Sequence, residues 1–181
     1  IFVKFKIKDK KNNYFLIWTT TPWTLPGNVA LAINPKIDYV QVEQGEENYI
    51  LAEKRLNVLA GRYEIVKKIK GKEVAGLKYE PLFDFLAKQK PKNINNAFQV
   101  LPGDFVSMEE GTGIVHIAPM YGDDDFQLGK KFNLPMQHTV DQEGKFKKEA
   151  GHFAGQFVKH ADPEIIKNLE TRNLLYKKEE I

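Results

Sequence analysis

Hydroxyl side chains are concentrated in residues 18–28, whose sequence is W-T-T-T-P-W-T-L-P-G-N. The apolar run before them is rich in strand formers, and the proline after them cannot donate a backbone hydrogen bond. We therefore expect a strand to end at Thr19, Thr20 and Thr21. Three hydroxyls at the mouth of a strand, together with Asn28, would bind a polar ligand. The alternative is a threonine-rich strand end that carries no chemistry.

A second candidate segment covers residues 111–125, G-T-G-I-V-H-I-A-P-M-Y-G-D-D-D, with His116 on a predicted strand. Asp125 follows beyond a proline and glycine turn. If this strand and the threonine-bearing strand are neighbours, the hydroxyls, the imidazole and the carboxylate would face one pocket. Each residue also has a structural interpretation, because histidines are often hydrogen-bonded within a core and aspartates often cap helices.

Several reaction classes do not fit the residue types. Ser107 is the single serine and is not in a nucleophile-elbow context, which argues against a Ser-His-Asp triad. The four histidines never occur at a paired metal-ligand spacing, and there are no cysteines to act as thiolates or zinc ligands. Gly111-Thr112-Gly113 lacks the rest of a phosphate-binding fingerprint and indicates a turn. We expect neither a metal nor an organic cofactor.

Composition indicates an ordinary globular protein. The chain has 181 residues, 42% hydrophobic and 28% charged, with a net charge of +3, so one large domain or two small ones is expected. No apolar run approaches the ~18 residues of a membrane span, and the start of the chain lacks a signal-peptide pattern. The lack of cysteine fits a reducing compartment, and we expect a cytoplasmic protein without a membrane partner.

The apolar pattern predicts many short strands and few helices. This combination favours an α+β fold with a β-barrel-like core of short strands and a few peripheral helices. Both ends of the chain are predicted strands that would lie together, as in an inserted domain. Strands are predicted at 2–7, 15–20, 29–33, 39–42, 49–51, 63–69, 98–101, 105–108, 114–118, 135–140 and 174–176, and helices at 52–59, 126–132 and 163–172.

The two candidate segments closely resemble the two signatures of the editing domain inserted in isoleucyl-tRNA synthetase. Further similarity lies in G-x-x-Y-x-P-L-F at 76–83, V-D-x-x-G-x-F at 140–146 and F-A-G-x-F-V-K-x-A-D at 153–162. The resemblance covers nearly the whole chain and implies the editing-domain fold of class I synthetases, with residues 1–181 as a single domain cut from a longer synthetase. The valyl-type domain has arginine where Thr21 stands, and the leucyl type also departs from T-T-T-P-W-T-L-P.

The resemblance implies a hydrolase that removes valine wrongly attached to the isoleucine tRNA. Its partners would be the 3′ end of that tRNA, the misacylated valine and the rest of the synthetase chain. The synthetase signatures H-I-G-H and K-M-S-K-S are absent, so this chain should not activate amino acids. Alternatives are a non-catalytic barrel that binds the tRNA 3′ end, a valyl- or leucyl-type editing domain, and a deacylase that acts on the adenylate.

Residue roles follow from the match to the family signatures. The aspartate would pair with the substrate's α-ammonium, the three threonines would contact the aminoacyl group and ribose and hold the attacking water, and the histidine would limit side-chain size or order the pocket. Met120, Tyr121 and Thr139 depart from the common family pattern and put the pocket volume in question. The resemblance thus implies catalytic residues Thr19, Thr20, Thr21 and Asp125, and substrate-binding residues Trp23, Asn28, His116 and Asp125.

Lysine-rich segments offer a second type of tRNA contact. Residues 67–72, 88–92 and 145–148 would meet tRNA phosphates. Solvated surface charge explains them equally well. The segment at 87–96, which holds three lysines and three asparagines, is predicted to be a mobile surface loop.

Overall fold

A computed structural model describes residues 1–179 of the protein. The α+β class predicted from the sequence is confirmed, with strands in two sheets and short helices around them. The strands are β1 (Phe2–Lys6), β2 (Asn13–Trp18), β3 (Ala30–Ile33), β4 (Asp38–Gln44), β5 (Glu47–Ala52), β6 (Glu64–Lys70), β7 (Val100–Pro102), β8 (Ile114–Ile117) and β9 (Leu175–Lys177), and the α-helices are α1 (Gly71–Val74), α2 (Phe85–Gln89), α3 (Asp123–Lys131) and α4 (Val158–Thr171).

The larger sheet has six strands in the order β6-β4-β5-β2-β1-β9. Its pairs are antiparallel except β2 with β5, which run parallel. β9 pairs with β1 through Phe2 opposite Lys177, which places the two ends of the described chain side by side. The expectation that the terminal strands lie together is therefore confirmed.

The smaller sheet has three strands in the order β7-β3-β8. β3 runs parallel to β7 and antiparallel to β8, and β2 of the larger sheet lies close to β8. Within residues 1–179 the strands form two separate sheets that do not close into a ring, so the predicted barrel-like core consists of two sheets rather than a closed barrel. The closeness of β2 and β8 brings the ends of the two signature segments together.

The main core lies between the two sheets and α4. Alternation on β2 sends Phe15 and Ile17 into this core, while Leu16 joins a separate cluster on the other face of the same sheet. From the smaller sheet, Leu31 and Ile114 complete the contact. Apolar alternation thus explains why β2, which carries the threonine segment at its end, is buried on both faces.

Helix α4 begins five residues before the predicted start at 163, so that Pro163 lies inside it. Proline removes one helical hydrogen bond, which costs roughly 3 kcal/mol in a helix interior. The first turn is retained because Val158 and Ala161 are buried on the same face as Ile165 and Leu169. Packing of this face offsets the lost bond, and α4 also lies against the 3-10 helix that follows β2.

Other differences from the predicted elements occur where local signals are weak. Residues 105–108 and 135–140 are irregular rather than strands, and residues 52–59 form the short 3-10 helix Glu53–Val58 instead of an α-helix. The expected loop at 87–96 contains the end of α2 and the 3-10 helix Ile94–Asn96.

Candidate functional site

The threonine segment is held at its start by hydrogen bonds to Ile1. β2 ends at Trp18, and the Thr19 N–H donates to the Ile1 carbonyl at 3.0 Å while the Ile1 backbone nitrogen donates to the Thr19 carbonyl at 2.9 Å. Pro22 then begins the buried 3-10 helix Pro22–Gly27. The three threonines therefore occupy a short bend between a strand and a helix, both of which are packed.

Hydroxyl groups of this bend bond to one another. The Thr19 hydroxyl accepts the Thr21 N–H at 3.1 Å and lies 3.5 Å from the Thr21 hydroxyl. The Thr21 hydroxyl lies 3.4 Å from that of Thr24, which donates to the Thr21 carbonyl at 2.8 Å. Thr19 is buried, whereas Thr20 and Thr21 are exposed.

The opposite wall is the loop at residues 107–113. Gly111 and Gly113 have φ values of +66° and +77°, which explains why glycine occupies both positions. A Cβ at Gly111 would lie 3.3 Å from the ring of Trp18, and one at Gly113 would collide with Ala52. The Tyr39 hydroxyl donates to the Gly113 carbonyl at 2.7 Å. The glycine–threonine–glycine turn is thus a site where the loop packs closely on β2 and β5.

A cavity of about 410 Å³ separates the two walls. It joins the predicted threonine mouth to the strand that bears His116, so the sequence-based pairing of these two regions in one pocket is present in the structure. A second cavity of about 480 Å³ adjoins it and shares Trp18, Thr20 and Gly111. The first cavity is lined by Trp18, Thr19, Thr20, Thr21, Ser107, Glu109, Glu110, Gly111, Thr112, Gly113, Ile114, Val115 and His116.

His116 links the second signature to the first. Its Nε2 lies 2.9 Å from the Thr24 hydroxyl, and its Nδ1 is buried without a partner among the described residues. Because the Thr24 hydroxyl donates its single hydrogen to Thr21, its oxygen accepts from His116, which assigns the hydrogen of a neutral ring to Nε2. Burial lowers the pKa of His116 to about 4, so the ring is uncharged at neutral pH.

Asp125 lies in the first turn of α3. Its Oδ2 accepts the Ala118 N–H at 2.8 Å, and the side chain is half-buried. Burial raises the pKa of Asp125, while the Ala118 hydrogen bond opposes that shift. One hydrogen bond leaves acceptor capacity on a carboxylate for a ligand. Asp125 is not among the residues that line the cavity, so its convergence with the threonines stays a prediction.

The two remaining predicted residues pack around the 3-10 helix. The Trp23 ring contacts Tyr121 edge-on, with centroids 5.2 Å apart, and the Tyr121 hydroxyl bonds to Thr139 at 2.7 Å. Asn28 is buried; its amide donates to the Ala30 carbonyl at 2.9 Å and accepts from the Tyr79 hydroxyl at 2.6 Å. Both amide atoms are therefore engaged within the fold, and the structure places Asn28 beneath the site rather than on the cavity wall.

Sequence reasoning missed several residues that the structure places at the site. Thr24, from the same threonine-rich motif, is the direct partner of His116. Glu109 and Glu110 line both cavities, although an acidic pair in a predicted turn has no feature that separates it from a solvated surface. Arg55 lies far from the loop in sequence, and its Nε donates to the Gly111 carbonyl at 2.8 Å.

The lysine-rich segments are exposed and partly ion-paired. Lys68 pairs with Glu53 at 2.6 Å, Lys88 with Asp84 at 2.8 Å, and a third pair joins Lys145 to Glu143 at the surface. Contact of these segments with tRNA stays a prediction. In the part of the chain that the structure describes, no helix has the length and apolar character needed to cross a bilayer.

Comparison with known proteins finds relatives that match nearly the whole length of this chain. The family described as "Leucyl-tRNA synthetase, editing domain" matches residues 1–177. An isoleucine–tRNA ligase of Clostridium acetobutylicum is 52% identical over 178 residues, which is 98% of this chain and 17% of that protein. The corresponding ligase of Picrophilus torridus is 44% identical over 179 residues, 99% of this chain and 17% of its own length. The chain thus spans about a sixth of these relatives.

Solved structures show the same fold at low sequence identity. The crystal structure of GlLeuRS-CP1 has a TM-score of 0.70 and 17% identity, with 99% of each chain covered. The editing domain of the P. knowlesi cytosolic leucyl-tRNA synthetase has a TM-score of 0.69 and 14% identity, with 96% of this chain and 93% of that chain covered. The fold is shared with these leucyl domains, whereas the high identities are to isoleucine–tRNA ligases. The chain belongs to the family of aminoacyl-tRNA synthetase editing domains, as a member of the isoleucine–tRNA ligase type.

Proposed function

We propose that the chain hydrolyses valine from mischarged isoleucine tRNA, as one domain carried within a longer cytoplasmic isoleucine–tRNA ligase. The observation that carries this proposal is the cavity in which the threonines of the first signature meet His116 of the second. The high identity to isoleucine–tRNA ligases supports the isoleucine type over the valyl and leucyl types.

A second, size-selective site is needed because a binding pocket discriminates only weakly between side chains that differ by one methylene. One methylene in an apolar pocket gives roughly 1–3 kcal/mol of discrimination, and isoleucyl-tRNA synthetase acting on valine is the standard example of that limit. A hydrolytic site that admits valine and excludes isoleucine multiplies the selectivity of the first site. His116 is rigidly bonded and uncharged, which suits a wall that limits the size of the side chain.

The proposed reaction is direct attack of water on the aminoacyl ester. The water oxygen bonds to the ester carbonyl carbon, the bond from that carbon to the ribose oxygen breaks, and the ribose oxygen takes up a proton as valine leaves. Thr19, Thr20 and Thr21 would hold the water and the ester, and hydroxyl or backbone donors would stabilise the carbonyl oxygen. Asp125 would bind the α-ammonium, since a charge-assisted contact is strong and fixes orientation.

A deacylation time course with labelled aminoacyl-tRNA tests the proposal. We expect the chain to release valine from isoleucine tRNA and to leave correctly charged isoleucyl-tRNA intact. Binding to a CCA-ending RNA without turnover of any ester would instead favour the non-catalytic barrel. Turnover of valyl-adenylate in preference to valine-charged tRNA would favour a deacylase of the activated amino acid.

The same assay separates the three editing types. The competing substrates are isoleucine attached to the leucine tRNA, for the leucyl type, and threonine attached to the valine tRNA, for the valyl type. Faster release from either of these than from valine-charged isoleucine tRNA would contradict the assignment of type. The lysine-rich segments and the rest of the synthetase are proposed to hold the tRNA, so we expect weak tRNA affinity for this chain by itself.

A further inference from the structure

Arg55 holds the loop that forms one wall of the candidate cavity. Its Nε donates to the Gly111 carbonyl at 2.8 Å, and its Nη1 donates to the Glu109 carbonyl at 3.2 Å and the Met108 carbonyl at 3.4 Å. One guanidinium thus binds three backbone carbonyls within four consecutive residues. The side chain comes from the 3-10 helix Glu53–Val58, which follows β5 and is remote from the loop in sequence.

Other contacts hold the two ends of the loop and one side chain within it. Residues 103–113 form only turns and bends, and Ser107, Glu109 and Glu110 are largely exposed. At the far end Tyr39 donates to the Gly113 carbonyl and the Ala52 N–H donates to the Thr112 carbonyl at 2.9 Å, while the Met108 side chain packs on the core. Arg55 adds the hydrogen bonds that tie backbone carbonyls of residues 108–111 to the 3-10 helix after β5.

The bond to Gly111 also sets the boundary between the two cavities. Gly111 packs on the face of Trp18, and both residues line both cavities. Release of the Gly111 carbonyl would let the loop move away from Trp18 and widen the cavity opposite Thr20. A widened cavity would lose contacts with its ligand without losing any of the threonines or His116.

We propose that Arg55 is a positioning residue, which fixes the 108–111 loop at the distance from Trp18 that the aminoacyl-adenosine end of the substrate requires. This inference rests on the proposed function for the identity of the ligand. The role needs the planar fork of arginine, because Nε and Nη1 point to different carbonyls at once. A lysine at this position would reach one carbonyl with a single ammonium and hold the loop less firmly.

Binding of a non-hydrolysable valyl-amide analogue of adenosine tests the inference, with Arg55→Ala, Arg55→Lys and the exposed neighbour Lys54→Ala compared in the whole 181-residue chain. We expect Arg55→Ala to weaken binding about tenfold, which corresponds to the loss of roughly 1.4 kcal/mol. The affinity of Arg55→Lys should lie between those of Arg55→Ala and the original chain, and the affinity of Lys54→Ala should equal that of the original chain. Added guanidinium ion, at a concentration that does not denature the protein, should restore part of the affinity of Arg55→Ala only.

Amide hydrogen exchange separates a local role from general destabilisation. We expect Arg55→Ala to speed exchange at residues 109–113 while the amides of β1 and β2 keep their protection. Unchanged exchange in the loop, equal loss of affinity in Lys54→Ala, or unchanged binding by Arg55→Ala would overturn the inference. Failure of the original chain to bind the analogue would instead count against the proposed function, because the exchange measurement is made without ligand.

Discussion

His116 and Asp125 lie in one signature segment but in different surroundings. Burial lowers the pKa of His116 and raises the pKa of Asp125, so it favours the uncharged form of each. His116 is almost fully buried and bonds to Thr24 of the other signature, which leaves its Nδ1 without a partner. Asp125 stays half-exposed and bonds to the backbone of its own segment at Ala118. Under the proposed function, a buried group of this kind suits a wall of the pocket, whereas a group that remains open to solvent suits contact with a charged ligand.

His116 and Asp125 differ in what their hydrogen bonding does to the stability of the fold. The fold accepts an unpaired nitrogen at His116, which costs stability, in return for a fixed and uncharged ring beside the threonines. Asp125 has its orientation set by one N–H and keeps free acceptor sites. Changes at His116 should therefore lower stability as well as alter size selection, whereas changes at Asp125 should appear mainly in activity.

The largest expected effect is the acid sensitivity contributed by His116. In the unfolded chain histidine takes up a proton near pH 6.5, but in the folded protein the pKa is about 4. The unfolded state therefore binds more protons between these values, and stability falls as the pH is lowered through that window, by about 3 kcal/mol in total. We expect His116→Gln to lose this dependence, as measured by urea unfolding at pH 7 and pH 4.

The stability that Asp125 contributes changes with pH in the opposite direction. This contribution does not affect the comparison of His116→Gln with the original chain. A raised carboxyl pKa favours the folded state at low pH, and the contribution is lost as the pH rises through the folded value. Asp125 is present in both chains being compared, so the difference between them isolates the histidine. An equal acid dependence in His116→Gln and the original chain would contradict the sealed environment.

The second effect is on activity at Asp125. We expect Asp125→Ala to lower deacylation of valine-charged tRNA by roughly 10- to 100-fold, since a charged hydrogen bond contributes about 1.5–3 kcal/mol. Asp124→Ala is the matched control, because Asp124 is exposed in the same turn of α3. Full activity of Asp125→Ala, or equal losses in both variants, would remove Asp125 from the site.

The smallest effect is at Thr24, the partner of His116. Thr24→Val keeps the shape but leaves the His116 Nε2 hydrogen unpaired, and we expect a loss of about 1–2 kcal/mol in unfolding free energy. The exposed Thr20→Val should change stability by less than about 0.5 kcal/mol. If the two variants had equal stability, the Thr24 contact would have no part in holding the ring.

Local sequence patterns predicted much of this fold because strand alternation reports burial directly. β2, β4 and β8 were predicted close to their observed positions, since their apolar residues face packed layers. The sequence places the start of α4 too late because Asp162 and Pro163 are typical of the first turn of a helix, and only the tertiary packing of Val158 and Ala161 extends the helix before them. The sequence also predicts a strand at 135–140, but in the structure only Val140 of this segment forms a bridge, to Phe146.

The site was predictable to the extent that its residues lie in the two signatures. The threonines and His116 share a cavity as expected, and Thr24 could have been included because it belongs to the same motif. Arg55 and the acidic pair Glu109 and Glu110 were beyond reach, because their roles depend on a loop that folds back over β5. Contacts between residues far apart in the sequence produce no periodic pattern of residue types from which they could be predicted.

The close packing of Gly111 on Trp18 and of Tyr121 on Trp23 has an optical consequence. The chain has two tryptophans, and both indoles belong to the threonine segment, one lining the cavities and the other 5.2 Å from a tyrosine ring. Fluorescence excited selectively from tryptophan, rather than from the seven tyrosines, therefore arises from the threonine segment. Emission changes can follow ligand entry in real time without any added dye, and replacement of either indole by phenylalanine would tell which side of the bend responds.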